Sequence, residues 1–115
     1  TDVDTLTGYS NYGRSAINVS APGGSGPPGW VWAACSQTSL VIPICGTGTY
    51  VLGMAGTSMA SPHASGVAAL IAEDVGRNPA RIRAILEQSA DDAGWPGADP
   101  AHGKGRVNAY NAVSQ

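Results

Sequence analysis

Ser58 is the residue of this chain whose setting most suggests chemistry. It stands in Gly56-Thr57-Ser58-Met59-Ala60-Ser61-Pro62-His63, after an apolar, glycine-ended segment and at the start of a long run of small residues. A serine at a helix opening lies among backbone N–H groups that have no helical acceptor, at the positive end of the helix dipole. Such groups stabilise an oxyanion forming beside the serine oxygen. A plain Ser or Thr helix cap is the common use of the same position, so local sequence leaves both roles open. A nucleophilic serine needs a base, and the chain has two histidines. His63 lies five residues on, which turns its ring about 140° around the helix from Ser58 and raises it about 7.5 Å. Packing at the helix start is its expected job. His102, in Ala101-His102-Gly103-Lys104-Gly105, is expected on a surface loop with no apolar frame to fix a tautomer. Neither is a convincing base for Ser58.

The elements that must hold Ser58 follow from turn signals and periodicity. Residues 58–75 predict a helix with Pro62 in its first turn and Gly76 as its stop. Its small and apolar residues surround it: Ala60, Ala64, Gly66, Val67, Ala68, Ala69, Leu70, Ile71, Ala72 and Val75, with no charge between His63 and Glu73. A helix apolar on all sides is a buried one. Asn78 and Pro79 predict the start of a second helix over 79–90, with Ile82, Ile85, Leu86 and Ala90 on one face, hence an outer helix. A short helix closes the chain within 106–114. Residues 16–19 read as a short strand, and 49–56 as a strand running into a glycine turn. Residues 30–35 and 39–45 predict a hairpin, Pro43 placing its second strand at an edge. Trp30 and Trp32 share one strand face; they would bind a peptide or glycan if exposed, but core packing is the preferred expectation. The long loop over 90–105 carries Asp91, Asp92 and Asp99, expected to be solvated rather than metal ligands. Asn18-Val19-Ser20 matches a glycosylation sequon but is expected in a buried strand, where the match is chance. Strands mixed with long helices indicate an α/β layered domain.

The totals narrow the function. The chain's 115 residues suffice for one compact domain or part of a larger one. Only 12% are charged, about half the usual share. A net charge of −2, with Lys104 and Arg106 the densest basic pair, argues against nucleic-acid and anionic-membrane partners. No apolar run approaches the roughly 18 residues of a membrane span. The polar start Thr1-Asp2-Val3-Asp4 does not read as a signal peptide, and a chain without an initiating Met is expected to be a processed piece or a fragment. Cys35 and Cys45, with nine residues between them, are not a C-x-x-C metal or redox pair. Their spacing suits a local disulfide and an extracellular setting, the alternative being two buried thiols.

The stretch "GTSMASPHASGVAAL", 56–70, closely resembles the serine motif of the subtilisin family of serine endopeptidases. Two weaker echoes support it: "YSNYGRSAINVSAPG", 9–23, resembles the strand and Ala-Pro-Gly turn before that motif, and "GKGRVNAYNAV", 103–113, resembles the closing Gly-x-Gly and terminal helix. The resemblance covers nearly the whole chain and leaves about 24–50 as an insertion that holds both cysteines. It implies that residues 1–115 are the C-terminal portion of a three-layer subtilisin-like peptidase domain. Ser58 would then be the nucleophile, and its own backbone N–H a donor to the oxyanion hole. In this family the triad runs Asp, His, Ser. Its Asp and His motifs and its oxyanion asparagine lie upstream and have no match here, so an upstream segment would supply them. The expected partners are a peptide or protein substrate and either the missing N-terminal portion or further copies of the chain. No cofactor is expected in this chain, and the resemblance leaves structural calcium in the whole domain open. Secretion is expected. The alternative is a catalytically inert fragment, or a binding or structural module of a larger secreted protein. An α/β-hydrolase elbow, G-x-S-x-G, fails at Ala60 and has no place for Pro62 and His63.

Overall fold

The computed structural model of the chain describes residues 4–114, so the polar start at Thr1–Val3 lies outside the described residues. Strands β1 (Val31–Ala34) and β2 (Val51–Met54) precede helices α1 (Thr57–Val75), α2 (Pro79–Gln88) and α3 (Ala109–Val113). The two strands pair antiparallel, Val31 opposite Met54 and Ala34 opposite Val51. The chain is thus part of an α/β domain, as expected from its mixture of strands and helices.

The hairpin is not the one that the sequence predicted. Residues 39–45 form no strand; Pro43–Thr47 is a 3-10 turn. Pro43 has no N–H for a ladder and its ring fixes φ, which favours the turn. The partner of β1 is instead β2, across the loop that Cys35 and Cys45 close. The predicted strand over 16–19 is likewise irregular backbone, ending in a single parallel bridge between Ser20 and Arg106. Asn18 is exposed there and donates from Nδ2 to Glu87 Oε1 at 3.1 Å, so its sequon is not in a buried strand.

The helix limits follow from caps. Gly56, at φ 152°, occupies a backbone region that disfavours side chains, and the helix begins directly after it. Gly76 ends α1 by donating its N–H to the Ala72 carbonyl at 3.0 Å. Asn78 caps α2 by accepting from the Arg81 N–H at 3.1 Å, with Pro79 at the first helical position. Asn108 caps α3 in the same way through the Asn111 N–H at 2.9 Å. Pro62 lies inside α1 rather than in its first turn. Its missing N–H leaves the Ser58 carbonyl without the usual helical donor.

The core sits on one side of α1. Val67 and Ile71 of α1 and Ala112 of α3 are buried, with Val75 of α1, Ile82, Ile85 and Leu86 of α2 and Val107 of the loop before α3 packed around them. The opposite side of α1 lacks such cover: Leu70 is 45% exposed. The expectation of an all-round buried helix therefore holds for one face only. No helix among the described residues is long and apolar enough to cross a membrane.

Candidate active site around Ser58

β2 runs through Ala55 and Gly56 straight into α1, which puts Ser58 at the second position of the helix. The N–H groups of Met59 and Ala60 both reach the Gly56 carbonyl, at 3.0 and 3.3 Å. Those of Thr57 and Ser58 have no intrahelical acceptor at these positions. The turn is pinned from outside, because the Gly56 N–H donates to the Gly23 carbonyl at 2.8 Å. This bond ties the Ala21-Pro22-Gly23 turn to the serine. The Ser58 hydroxyl makes no hydrogen bond among the described residues, and its side chain is exposed.

Ser58 lines a cavity of about 500 Å³ between the hairpin and the start of α1. Trp32, Leu52 and Met54 come from the strands, Met59 and His63 from the helix, and Ile42 with the two cysteines from the loop. Cys35 and Cys45 are joined in a disulfide with their Cα atoms 5.5 Å apart. Trp30 and Trp32 do not pack in the core as expected. They are 38% and 60% exposed and tilt against each other at 5.7 Å between ring centroids. Gly53, opposite Trp32 in the ladder, makes this possible: a Cβ there would lie 2.6 Å from Trp30 Cε3. Trp32 and the cysteine spacing were the sequence signals for this wall. The contributions of Ile42, Leu52 and Met54 gave no signal, because they depend on how the disulfide loop folds back and on β2 pairing with β1.

Neither histidine meets Ser58. His63 donates from Nδ1 to the Met59 carbonyl at 2.8 Å, one turn back along its own helix. His102 is not the surface residue expected; it is only 8% exposed. Its Nδ1 lies 3.0 Å from Ser20 Oγ, and its backbone N–H donates to Asp99 Oδ1 at 2.7 Å. It therefore has the frame that its sequence context did not reveal.

The loop aspartates are likewise not free in solvent. Asp99 is 5% exposed and accepts from the backbone N–H groups of His102, Trp95 and Ala101. These bonds, that of His102 foremost, hold its carboxyl below the usual carboxylate range. Asp91 accepts from Arg106 Nη2 at 2.8 Å and from Asn108 Nδ2 at 2.9 Å. Arg106, then Asn108, lowers its pKa. The same guanidinium binds Asp4 through Nη1 at 2.8 Å, and its own pKa is raised by Asp91 and Asp4. Asp92 takes the Gly97 N–H at 2.9 Å. Among the described residues no three His, Cys, Asp or Glu side chains converge as a metal would require. These carboxylates bind protein donors and fasten the C-terminal loop.

Thermitase of Thermoactinomyces vulgaris is 40% identical to the chain over 110 residues, 96% of the chain and 32% of the thermitase. A thermophilic serine proteinase of Bacillus sp. strain AK1 is 40% identical over 111 residues, 96% of the chain and 23% of that protein. The chain thus spans a third or less of the length of these relatives. A crystal structure of a lanthipeptide protease superposes with a TM-score of 0.75 and 30% identity, over 96% of this chain and 37% of that one. The subtilase family itself matches over residues 1–105. The family match spans most of the chain and the relatives share its sequence over 96% of its length, so the chain belongs to the subtilase family.

Proposed function

We propose that this chain carries the nucleophile of a secreted serine endopeptidase, and that Ser58 is that nucleophile. The observation that carries the reading is the position of Ser58: second in α1, its hydroxyl without a hydrogen-bond partner among the described residues, on the rim of an open cavity. Its Oγ attacks the scissile carbonyl carbon, and its proton passes to a histidine held by the rest of the domain. The Ser58 N–H, free at the helix start, donates to the oxyanion. Collapse of the tetrahedral intermediate breaks the C–N bond, the amine leaves with the proton, and water then hydrolyses the acyl-serine. The triad histidine, its aspartate and the oxyanion asparagine are assigned to a segment upstream of these residues. The share of the relatives that the chain spans supports that division. The disulfide supports secretion, since such bonds persist in oxidising compartments.

Ser58→Ala in the full-length protease tests this. Turnover of an unstructured protein substrate should fall by about 10³-fold or more while the fold is kept. The 115-residue chain alone should neither hydrolyse substrate nor react rapidly with a fluorophosphonate. Full activity in Ser58→Ala would reject Ser58 as the nucleophile, and fast stoichiometric labelling of the isolated chain would reject the assignment of its base to an upstream segment.

A further inference from the structure

The serine turn is tied to the closing loop of the chain by a run of short contacts. The Gly56 N–H donates to the Gly23 carbonyl at 2.8 Å. The two backbones lie so close that a Cβ on Gly23 would stand 2.7 Å from the Gly56 oxygen. Only Ala21 and Pro22 separate Gly23 from Ser20, and the proline ring leaves that link little freedom. Ser20 in turn is held by residues 102–107. Its N–H donates to the Gly105 carbonyl and its carbonyl accepts from the Val107 N–H, both at 2.9 Å. Its hydroxyl lies 3.0 Å from His102 Nδ1 and 3.4 Å from the Gly105 oxygen, so the imidazole is the nearer partner. His102 is buried, and its backbone is fixed by Asp99, whose Oδ1 accepts its N–H at 2.7 Å. Gly103, at φ 63°, lets the loop pass close to the chain before Ser20: a Cβ there would lie 2.4 Å from the Asn18 oxygen.

We propose that His102 is a positioning residue for Ser58: by holding the Ser20 hydroxyl it fixes the Ala21-Pro22-Gly23 turn and, through the bond between Gly23 and Gly56, the place at which Ser58 enters α1. The inference rests on the endopeptidase reading above. It gives His102 no contact with substrate and no proton to carry, since the ring nitrogen is engaged by Ser20 rather than by Ser58. The head of α1 needs such a tether. Gly56 has the backbone freedom of a residue without Cβ, and Pro62 offers no N–H to bind the Ser58 carbonyl to the next turn. The serine is therefore steadied from outside its own helix. The two backbone bonds of Ser20 leave a rotation about the line that joins them, and the bond to His102 adds the third point that fixes an orientation. Displacing a reacting atom by about 1 Å costs up to about 100-fold in rate. Substrate binding is spread over surfaces that this link does not touch, so the loss falls on kcat rather than on KM.

The test uses the full-length protease. Fluorophosphonate labelling of Ser58, carried to completion, counts the competent sites, so that kcat is expressed per labelled serine. His102→Ala should lower kcat about tenfold while KM changes by less than about twofold. His102→Asn, whose side-chain amide can stand where Nδ1 does, should bring kcat back to within about threefold of the parent. Ser20→Ala removes the other partner and should match the loss in His102→Ala. The double variant should lose no more than either single one, because all three break the same link. Asp92→Ala, which frees the Gly97 N–H in the same loop, reads the effect of general loosening and should leave kcat per labelled site unchanged. If His102→Ala does not fold, Ser20→Ala and His102→Asn read the same link. Parental kcat in folded Ser20→Ala, a loss that falls on KM instead, losses that multiply in the double variant, or an equal fall in Asp92→Ala would overturn the inference and leave the endopeptidase reading standing. Absence of Ser58 labelling in the parent protease would overturn the endopeptidase reading and this inference with it.

Discussion

At the scale of single residues, the loop carboxylates have the clearest consequence. Asp99 is held by the N–H groups of His102, Trp95 and Ala101, and Asp91 by Arg106 and Asn108, so both pKa values lie below their ordinary position. A carboxylate whose folded pKa is depressed stabilises the fold fully above its unfolded pKa, about 3.9, and loses that contribution as pH falls through the folded value. The denaturation midpoint should therefore begin to drop near pH 4 and keep dropping below it. In Asp91→Asn the protein should be less stable at pH 7 and its acid drop shallower. Denaturant titrations of both proteins between pH 7 and 2.5 check this; parallel curves would remove Asp91 from the account. These roles were illegible in the sequence for a physical reason. The partners of Asp99 are backbone N–H groups brought round by a turn, and nothing in the spelling Ala98-Asp99-Pro100-Ala101-His102 distinguishes that from a solvated loop. His102 was misread on the same ground, because its partner Ser20 is 82 residues away. The placement of Ser58 at a helix start was legible because its setting is local: strand, glycine turn and helix start lie side by side in the chain.

Among the elements, the helices were read closely and the hairpin was not. Asn78-Pro79 and Gly76 are local signals with local effects, and α1 and α2 begin and end within two residues of the expected limits. Strand pairing is a choice between distant partners. Residues 39–45 are apolar enough for a strand, yet Pro43 turns them into a 3-10 segment, and β2 takes their place beside β1. The cysteine spacing was the better guide, since Cys35 and Cys45 are bonded. Closing so short a loop should contribute about 2–3 kcal/mol by restricting the unfolded chain. The Cys35→Ala, Cys45→Ala double variant should unfold at correspondingly lower denaturant. Midpoints within experimental scatter of each other would mean that contacts within the loop already hold it.

At the scale of the whole molecule, the chain is looser than its size warrants. Its radius of gyration is 15.5 Å, against about 13 Å for a compact domain of this length. Its accessible surface is 7453 Å², roughly 1,600 Å² more than a compact monomer of 11.6 kDa exposes. The outer face of α1 is part of this excess, with Leu70 half exposed. If about 800 Å² of it is apolar, covering it would contribute on the order of 20 kcal/mol before the costs of association. The folded chain on its own should therefore pair with the remainder of the subtilase domain or with copies of itself. Sedimentation of the purified chain, with and without the upstream portion, measures this. A monodisperse monomer at micromolar concentration, with amides of α1 protected from exchange, would contradict it.

The loop between Cys35 and Cys45 also bears on how the protein withstands proteolysis. Its tip, Leu40-Val41, is exposed at 96% and 90% and flanked by irregular backbone, the kind of site where proteases nick one another. A cut there falls inside a covalent ring. The two pieces stay joined through sulfur, Ile42 and Cys45 remain tethered beside the strands, and no mass is shed. A cut at the tip would leave a scar without severing the molecule, so the bridge that shapes the cavity is also what makes its most exposed segment expendable.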